Sequence, residues 1–137
     1  MIRPYSVALN FIYFCGLIFF FSCSGSVPVV NDVYYHHFDK TDSQSERMAV
    51  FVQIENNPEN INSITIKNKS SGKVWFIDTP EIVQDKKTKK YYCGSSNLVP
   101  ERDGSFSGGE FSVIYTDRAG RKIETQFFYI KNNNNKE

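Results

Sequence analysis

The stretch Gly108–Ile130, GGEFSVIYTDRAGRKIETQFFYI, has the pattern of a single β-hairpin. Apolar and polar residues alternate along both arms, which turns one face of each strand toward a core and the other toward water. Asp117-Arg118-Ala119-Gly120 is the turn signal between the arms, with Gly120 free to adopt a positive φ. Because a two-stranded hairpin is at best marginally stable alone, a second sheet must cover its inward side chains. These are expected to be Phe111, Val113, Tyr115, Ile123, Thr125, Phe127 and Tyr129.

Upstream of this hairpin, short apolar runs are separated by turn signals such as Asn56-Asn57-Pro58. About seven short strands of this kind predict an all-β fold, an antiparallel β-sandwich over residues 33–131. A second hairpin is expected from Ile61–Lys69 with Lys73–Asp78, and a short edge strand from Tyr91–Leu98. The upstream strand candidates are Val33–Phe38, Arg47–Glu55, Ile61–Lys69, Lys73–Asp78 and Tyr91–Leu98.

Two segments carry more specific expectations. Val74–Ile77 is continuously apolar, as in a strand that is covered on both faces, and it contains Trp75, the only tryptophan. We therefore predict that Trp75 lies in the core, with its indole N–H satisfied at the core edge. Thr79 before Pro80 has the pattern of a helix N-cap, which predicts a single helical turn within Thr79–Thr88.

The N-terminal segment Met1–Ser22 has the pattern of an export signal. Arg3 supplies the positive charge, and Val7–Phe21 forms an apolar region that is shorter than the ~20 residues needed to span a bilayer. We expect a signal helix here, then a flexible tether at residues 23–32 that is rich in Ser, Gly and Pro. The polar tail at residues 132–137 has nothing to bury and is expected to be disordered.

Phe20-Phe21-Ser22-Cys23 resembles the lipobox of bacterial lipoproteins, with Phe20 where Leu is commonest. The resemblance implies cleavage before Cys23, a diacylglycerol thioether on its sulfur and usually an acyl chain such as palmitate on the new N-terminus. The protein would then be exported and anchored to the bacterial cell membrane or the outer membrane, with its leaflet left open. Two alternatives remain, which are an ordinary secretory signal cut at or just after Ser22–Gly25 and an uncleaved signal anchor.

The hairpin motif also carries a resemblance. Gly109-Glu110-Phe111-Ser112-Val113 followed by Thr116-Asp117-Arg118-Ala119-Gly120 resembles the closing hairpin of bacterial immunoglobulin-like and fibronectin-III-like domains. In those domains the position of Phe111 is usually a Tyr. The resemblance implies an immunoglobulin-like sandwich that acts as a binding or spacer module rather than as an enzyme.

Charge argues against nucleic acid as a main partner, because 16 Lys and Arg residues nearly balance 15 Asp and Glu residues. One basic cluster, Lys86–Lys90, interrupts this balance. It is either a solvated loop or a contact for anionic lipid headgroups or acidic partners.

His36, His37 and Asp39, with Cys93 as a possible fourth ligand, suggest a metal site. Adjacent side chains on an extended strand point to opposite faces, however, so His36 and His37 are not expected to share one ion. A partly exposed strand end with two solvated imidazoles is the alternative, and we predict neither a metal nor another cofactor.

Cys93 is also a candidate nucleophile if nearby lysines lower its pKa. Its alternatives are a buried free thiol and an interchain disulfide. If export chemistry accounts for Cys15 and Cys23, Cys93 has no partner within the chain. Glu101, Asp103 and Asp117 lie in turns and show no pairing for acid–base chemistry.

We therefore predict a non-catalytic binding or scaffolding protein of the cell envelope. The alternatives are a structural subunit of an envelope complex and a metal-dependent domain that uses His36 and His37.

Overall fold

Two antiparallel four-stranded sheets pack face to face in the computed structural model, which describes residues 26–100 and 104–131. The predicted all-β sandwich is therefore confirmed. The signal segment 1–22, Cys23 and the tail 132–137 lie outside the described residues. The strands are β1 Val29–Phe38, β2 Arg47–Glu55, β3 Ile61–Asn68, β4 Val74–Ile77, β5 Glu81–Gln84, β6 Tyr91–Leu98, β7 Gly109–Asp117 and β8 Lys122–Tyr129.

The strand order is β1-β2-β6-β5 in one sheet and β4-β3-β7-β8 in the other. Each of the four hairpins therefore stays within one sheet, and the links between hairpins cross to the other sheet. A 3-10 turn at Pro58–Asn60 lies in the first of these links. No helix among the described residues is long and apolar enough to cross a membrane.

The predicted hairpin is confirmed as β7 and β8, with Gly120 at φ 79 in its turn. The inward residues of β7 are fully buried, and those of β8 are buried or half-buried. They face the apolar row of β2 in the other sheet and lie beside that of β3 in their own sheet, because both strands also place alternate residues inward. The core is formed mainly by Met48, Val50, Val52, Ile54, Ile64, Ile66, Phe111, Val113, Tyr115 and Phe127.

Trp75 is buried at 8% exposure, as predicted, although its strand is not covered on both faces. Its indole Nε1 donates to the Val99 carbonyl oxygen at 2.8 Å, and its ring stacks on Phe111 with centroids 6.0 Å apart. The prediction of two-sided burial was wrong because β4 is an edge strand whose outer face meets no second layer. Val74 and Phe76 on that face are 47% and 67% exposed.

The predicted helical turn at Thr79–Thr88 was wrong, because the chain forms β5 there instead. Residues 78–80 carry the chain from the edge of one sheet to the edge of the other, and Pro80 lies at the break between β4 and β5. Since β5 pairs with β6, Tyr91–Leu98 is an interior strand rather than the predicted edge.

β1 begins at Val29, four residues before the predicted start at Val33. Val29 and Val30 pair with Glu55 and Ile54 of β2, so backbone hydrogen bonding continues upstream of the aromatic run. The last residues of the predicted tether therefore belong to the sheet.

The strand registers bring three loops and the start of the described chain to one end of the sandwich. Val29 pairs with Glu55, Ile54 pairs with Tyr91, and Ile61 pairs with Asp117. Because these pairs lie at strand ends, the loops 56–60, 85–90 and 118–121 are neighbours, and this region is called the loop end below.

Candidate binding surface at the loop end

The β7–β8 loop is built on the buried carboxylate of Asp117. Its Oδ1 accepts hydrogen bonds from the backbone N–H groups of Ala119 at 3.0 Å and Arg121 at 2.8 Å. The Arg121 Nε donates to Oδ2 at 2.6 Å. Burial opposes ionisation of Asp117, but these hydrogen bonds and the Arg121 charge outweigh it and hold its pKa below the usual range. The loop is therefore held in one conformation, with Arg118 exposed at its tip.

The β5–β6 loop is organised in the same way by Asp85. Its Oδ1 accepts hydrogen bonds from the backbone N–H groups of Lys87 at 2.7 Å and Thr88 at 2.9 Å, which lower the pKa of Asp85. Lys89 has a φ of 60, and the backbone N–H of Asp85 donates to the Lys90 carbonyl. This tight turn leaves the four lysine side chains exposed on a single short loop.

The β2–β3 loop joins the others and the incoming chain. The Arg118 N–H donates to the Asn60 carbonyl at 2.9 Å, which links it to the β7–β8 loop. The side chain of Asn57 donates through Nδ2 to the hydroxyl oxygen of Ser26 at 2.9 Å. Asn56 and Asn57 both have positive φ values, a conformation that Asn tolerates better than most residues.

An open groove of about 1000 Å³ lies between the β2–β3 loop, the β7–β8 loop and the start of β6. Its lining includes Pro58, Glu59, Tyr91, Arg118 and Arg121. Arg121 is already paired with Asp117, so Arg118 is the guanidinium group that favours an anionic ligand here.

The two predicted histidines lie on opposite faces of β1, as expected for neighbours on a strand. His36 faces outward, with its ring centroid 4.5 Å from that of Phe38. His37 faces inward, and its Nε2 lies 2.8 Å from Oε1 of the buried Glu46. The same Glu46 oxygen accepts the backbone N–H of Phe106 at 3.0 Å. His37 therefore takes part in a polar contact that closes the core at the end opposite the loop end.

Asp39 approaches His37, but no group of three or more His, Cys, Asp or Glu residues in the described ranges is placed to hold a metal ion. Cys93 pairs with Val52 in the sheet, whereas His37 pairs with Met48. Val52 and Met48 lie four positions apart on β2, or roughly 13 Å, so Cys93 is too far from His37 to be a fourth ligand.

Cys93 is a free thiol with no exposed surface, and burial raises its pKa to about 11. Its Sγ lies 4.0 Å from the Pro58 carbonyl oxygen, and none of the lysines in residues 26–100 and 104–131 lowers the pKa of the thiol. Of the carboxylates named from the sequence, Asp117 is a turn residue, while Glu101 and Asp103 lie outside the described residues.

Sequence analysis did not predict that Arg118 and Arg121 lie at the same end of the sandwich as the Lys86–Lys90 cluster. About thirty residues separate the two sets in the chain, and only strand pairing brings them to one end. It also did not predict the burial of Glu46, because the residues around it in the sequence are all polar.

No protein-family model matches this chain, and no curated protein or solved structure matches it either.

Proposed function

We propose that this protein is an exported bacterial lipoprotein, attached through lipid on Cys23 to the cell membrane or outer membrane. Its sandwich is a non-catalytic, immunoglobulin-like module for binding or scaffolding at the cell envelope. The observation that carries the proposal is the small residue and cysteine, Ser22-Cys23, at the end of a short apolar segment.

The entry of the chain into the fold agrees with such an anchor. Ser26, three residues after Cys23, is already hydrogen bonded to Asn57, and β1 begins at Val29. A lipid on Cys23 would therefore be joined to the sandwich by only a few residues.

The strand order supports an immunoglobulin-like module. Immunoglobulin sandwiches place strands A, B, E and D in one sheet and C, F and G in the other. In chain order, β1-β2-β6-β5 corresponds to A-B-E-D, and β3-β7-β8 corresponds to C-F-G, with β4 as an added strand beside C. The β2–β3 and β7–β8 loops then correspond to the B–C and F–G loops, which carry binding sites in variable domains.

The placement of the reactive side chains favours binding over chemistry. The Cys93 thiol is buried with a raised pKa, and the inward His37 is hydrogen bonded to Glu46. Neither side chain lines the groove at the loop end, since Cys93 is buried behind Pro58 and His37 is absent from the lining.

A second candidate function is that of a structural subunit in an envelope complex. The edge strand β4 favours it, because Val74 and Phe76 expose apolar side chains beside a free strand edge. Phe76→Lys should then release fixed partners on purification. Phe128→Lys, on the opposite edge of the same sheet, is the matched control, since Phe128 is similarly exposed.

The anchor is tested by Cys23→Ala in the full chain, with Cys15→Ala as the control cysteine in the apolar segment. We expect Cys23→Ala to abolish incorporation of labelled palmitate and either block cleavage or release the protein from membranes. Cys15→Ala should leave both unchanged. If Cys23→Ala is cut and retained normally, the lipoprotein proposal fails.

A further inference from the structure

We propose that the loop end is a membrane-facing surface that docks on anionic phospholipid headgroups. Lys86, Lys87, Lys89, Lys90 and Arg118 would make the contacts. This inference rests on the proposed function, because it takes Cys23 as the point of attachment.

Basic side chains are concentrated at the loop end. The chain as a whole is nearly neutral, yet the exposed lysines of the β5–β6 loop and Arg118 share one end of the sandwich. The acidic groups there are partly engaged already, since Asp85 caps its own loop and Asp117 pairs with Arg121.

Of the other acidic residues near this end, Glu55 accepts a hydrogen bond from Asn31, while Asp32 and Glu59 are exposed. Within residues 26–100 and 104–131, no ion pair engages Lys86, Lys87 or Arg118. The loop end therefore presents a net positive surface, which is complementary to anionic headgroups.

Only a short length of chain joins the proposed lipid to this surface. Ser26 lies three positions after Cys23, and an extended chain spans at most about 3.5 Å per residue, so the gap is at most on the order of 10 Å. The screening length at physiological ionic strength is about 8 Å. A lipid on Cys23 would thus keep the loop end near the membrane, so the lysines come within this length of the headgroups when that end turns toward them and the opposite end points away.

The shape of the loop end also suits a membrane surface. Asp85 and Asp117 fix the two basic loops by hydrogen bonds, so little ordering is needed when the surface docks. The lysines are spread over an exposed loop rather than gathered in an enclosed pocket. This arrangement suits a flat array of phosphate groups better than a single acidic peptide.

The test uses the lipidated full-length product purified from native membranes and placed in vesicles. Thr88→Cys puts a thiol in the β5–β6 loop without removing a charge, and Ser43→Cys puts one at the opposite end. Cys93 is buried, so a thiol-reactive fluorophore should label the introduced site. A quencher carried on the lipid headgroup then reports how close each label lies to the surface.

In vesicles of phosphatidylglycerol and phosphatidylcholine, we expect strong quenching at Thr88→Cys and weak quenching at Ser43→Cys. The difference should disappear in high salt and in phosphatidylcholine alone. Lys86→Gln, Lys89→Gln and Lys90→Gln together should lower the docked-to-undocked ratio by on the order of a hundredfold, at roughly fivefold per residue. Lys40→Gln with Lys73→Gln, at the opposite end, should leave it unchanged.

Equal quenching at both labels, or quenching that persists without anionic lipid, would overturn the inference. So would retention on the vesicles with no quenching at Thr88→Cys, the result expected if the lysines serve an acidic protein instead. Failure of the anchor itself is seen separately, as an N-terminal peptide without lipid and a protein that is not retained.

Discussion

Replacing Trp75 by Ala tests the packing of the sandwich at the edge of its core. An aromatic side chain of this size buries about 150–250 Å², and at ~25 cal/mol per Å² the burial contributes about 4–6 kcal/mol. Trp75 lies at a sheet edge with 8% exposure, so water can enter part of the space left behind. Loss of the hydrogen bond to the Val99 carbonyl adds about 1 kcal/mol. We expect a loss of about 3–5 kcal/mol in the free energy of unfolding, within the range measured for buried aromatic truncations.

Phe76→Ala is the matched control, because Phe76 lies one residue along the same strand but faces solvent at 67% exposure. Its cost should stay within about 0.5 kcal/mol. Both variants are compared with the unchanged chain by urea titration followed by circular dichroism. The urea concentration at the midpoint of unfolding should be roughly 2–3 M lower for Trp75→Ala than for the unchanged chain. Equal costs for the two variants, or a loss below about 1 kcal/mol for Trp75→Ala, would refute the placement of Trp75 against Phe111.

Three further predictions address the thiol, a glycine and a turn. The Cys93 thiol, with its pKa raised to about 11, should react with a thiol reagent at neutral pH only when the chain unfolds, and fast labelling of the native protein would contradict its burial. Gly94→Ala should lower the free energy of unfolding by about 1–3 kcal/mol, because a Cβ there would lie 2.0 Å from the Val50 carbonyl oxygen; a thermal melt checks this. Because the pKa of Asp117 lies below its unfolded value of about 3.9, its stabilising effect is present above that value and is lost as pH falls through the folded pKa. Urea midpoints measured from pH 6 downward should therefore fall less steeply in Asp117→Asn, and an unchanged slope would contradict the role of this carboxylate.

The strands with strict alternation could be predicted from the sequence. β2 spans Arg47–Glu55 as predicted, and the inward row of β7 is buried, because one-sided burial forces a period of two. The run Val74–Ile77 was misread, since continuous apolar residues occur both in covered strands and in edge strands that expose one face. The segment after Thr79 was misread because Pro80 fits a first helical turn and a break between strands equally well.

The loop end could not be predicted, because its parts come together only through strand order. The Lys86–Lys90 cluster was visible as a charge run, but its position beside Arg118 and Ser26 depends on the pairing of β6 with β2 and of β7 with β3. The separation of His36 from His37 was predictable, because adjacent residues of a strand face opposite ways.

The central claim is that Cys23 is the mature N-terminus and carries lipid. Mass spectrometry of the N-terminal peptide from native membranes tests it most directly. We predict a peptide that begins at Cys23, with the added mass of a diacylglycerol group on sulfur and of an acyl chain on the amino group. A peptide that begins after Cys23, or one that begins at Met1 with no lipid, would contradict the account.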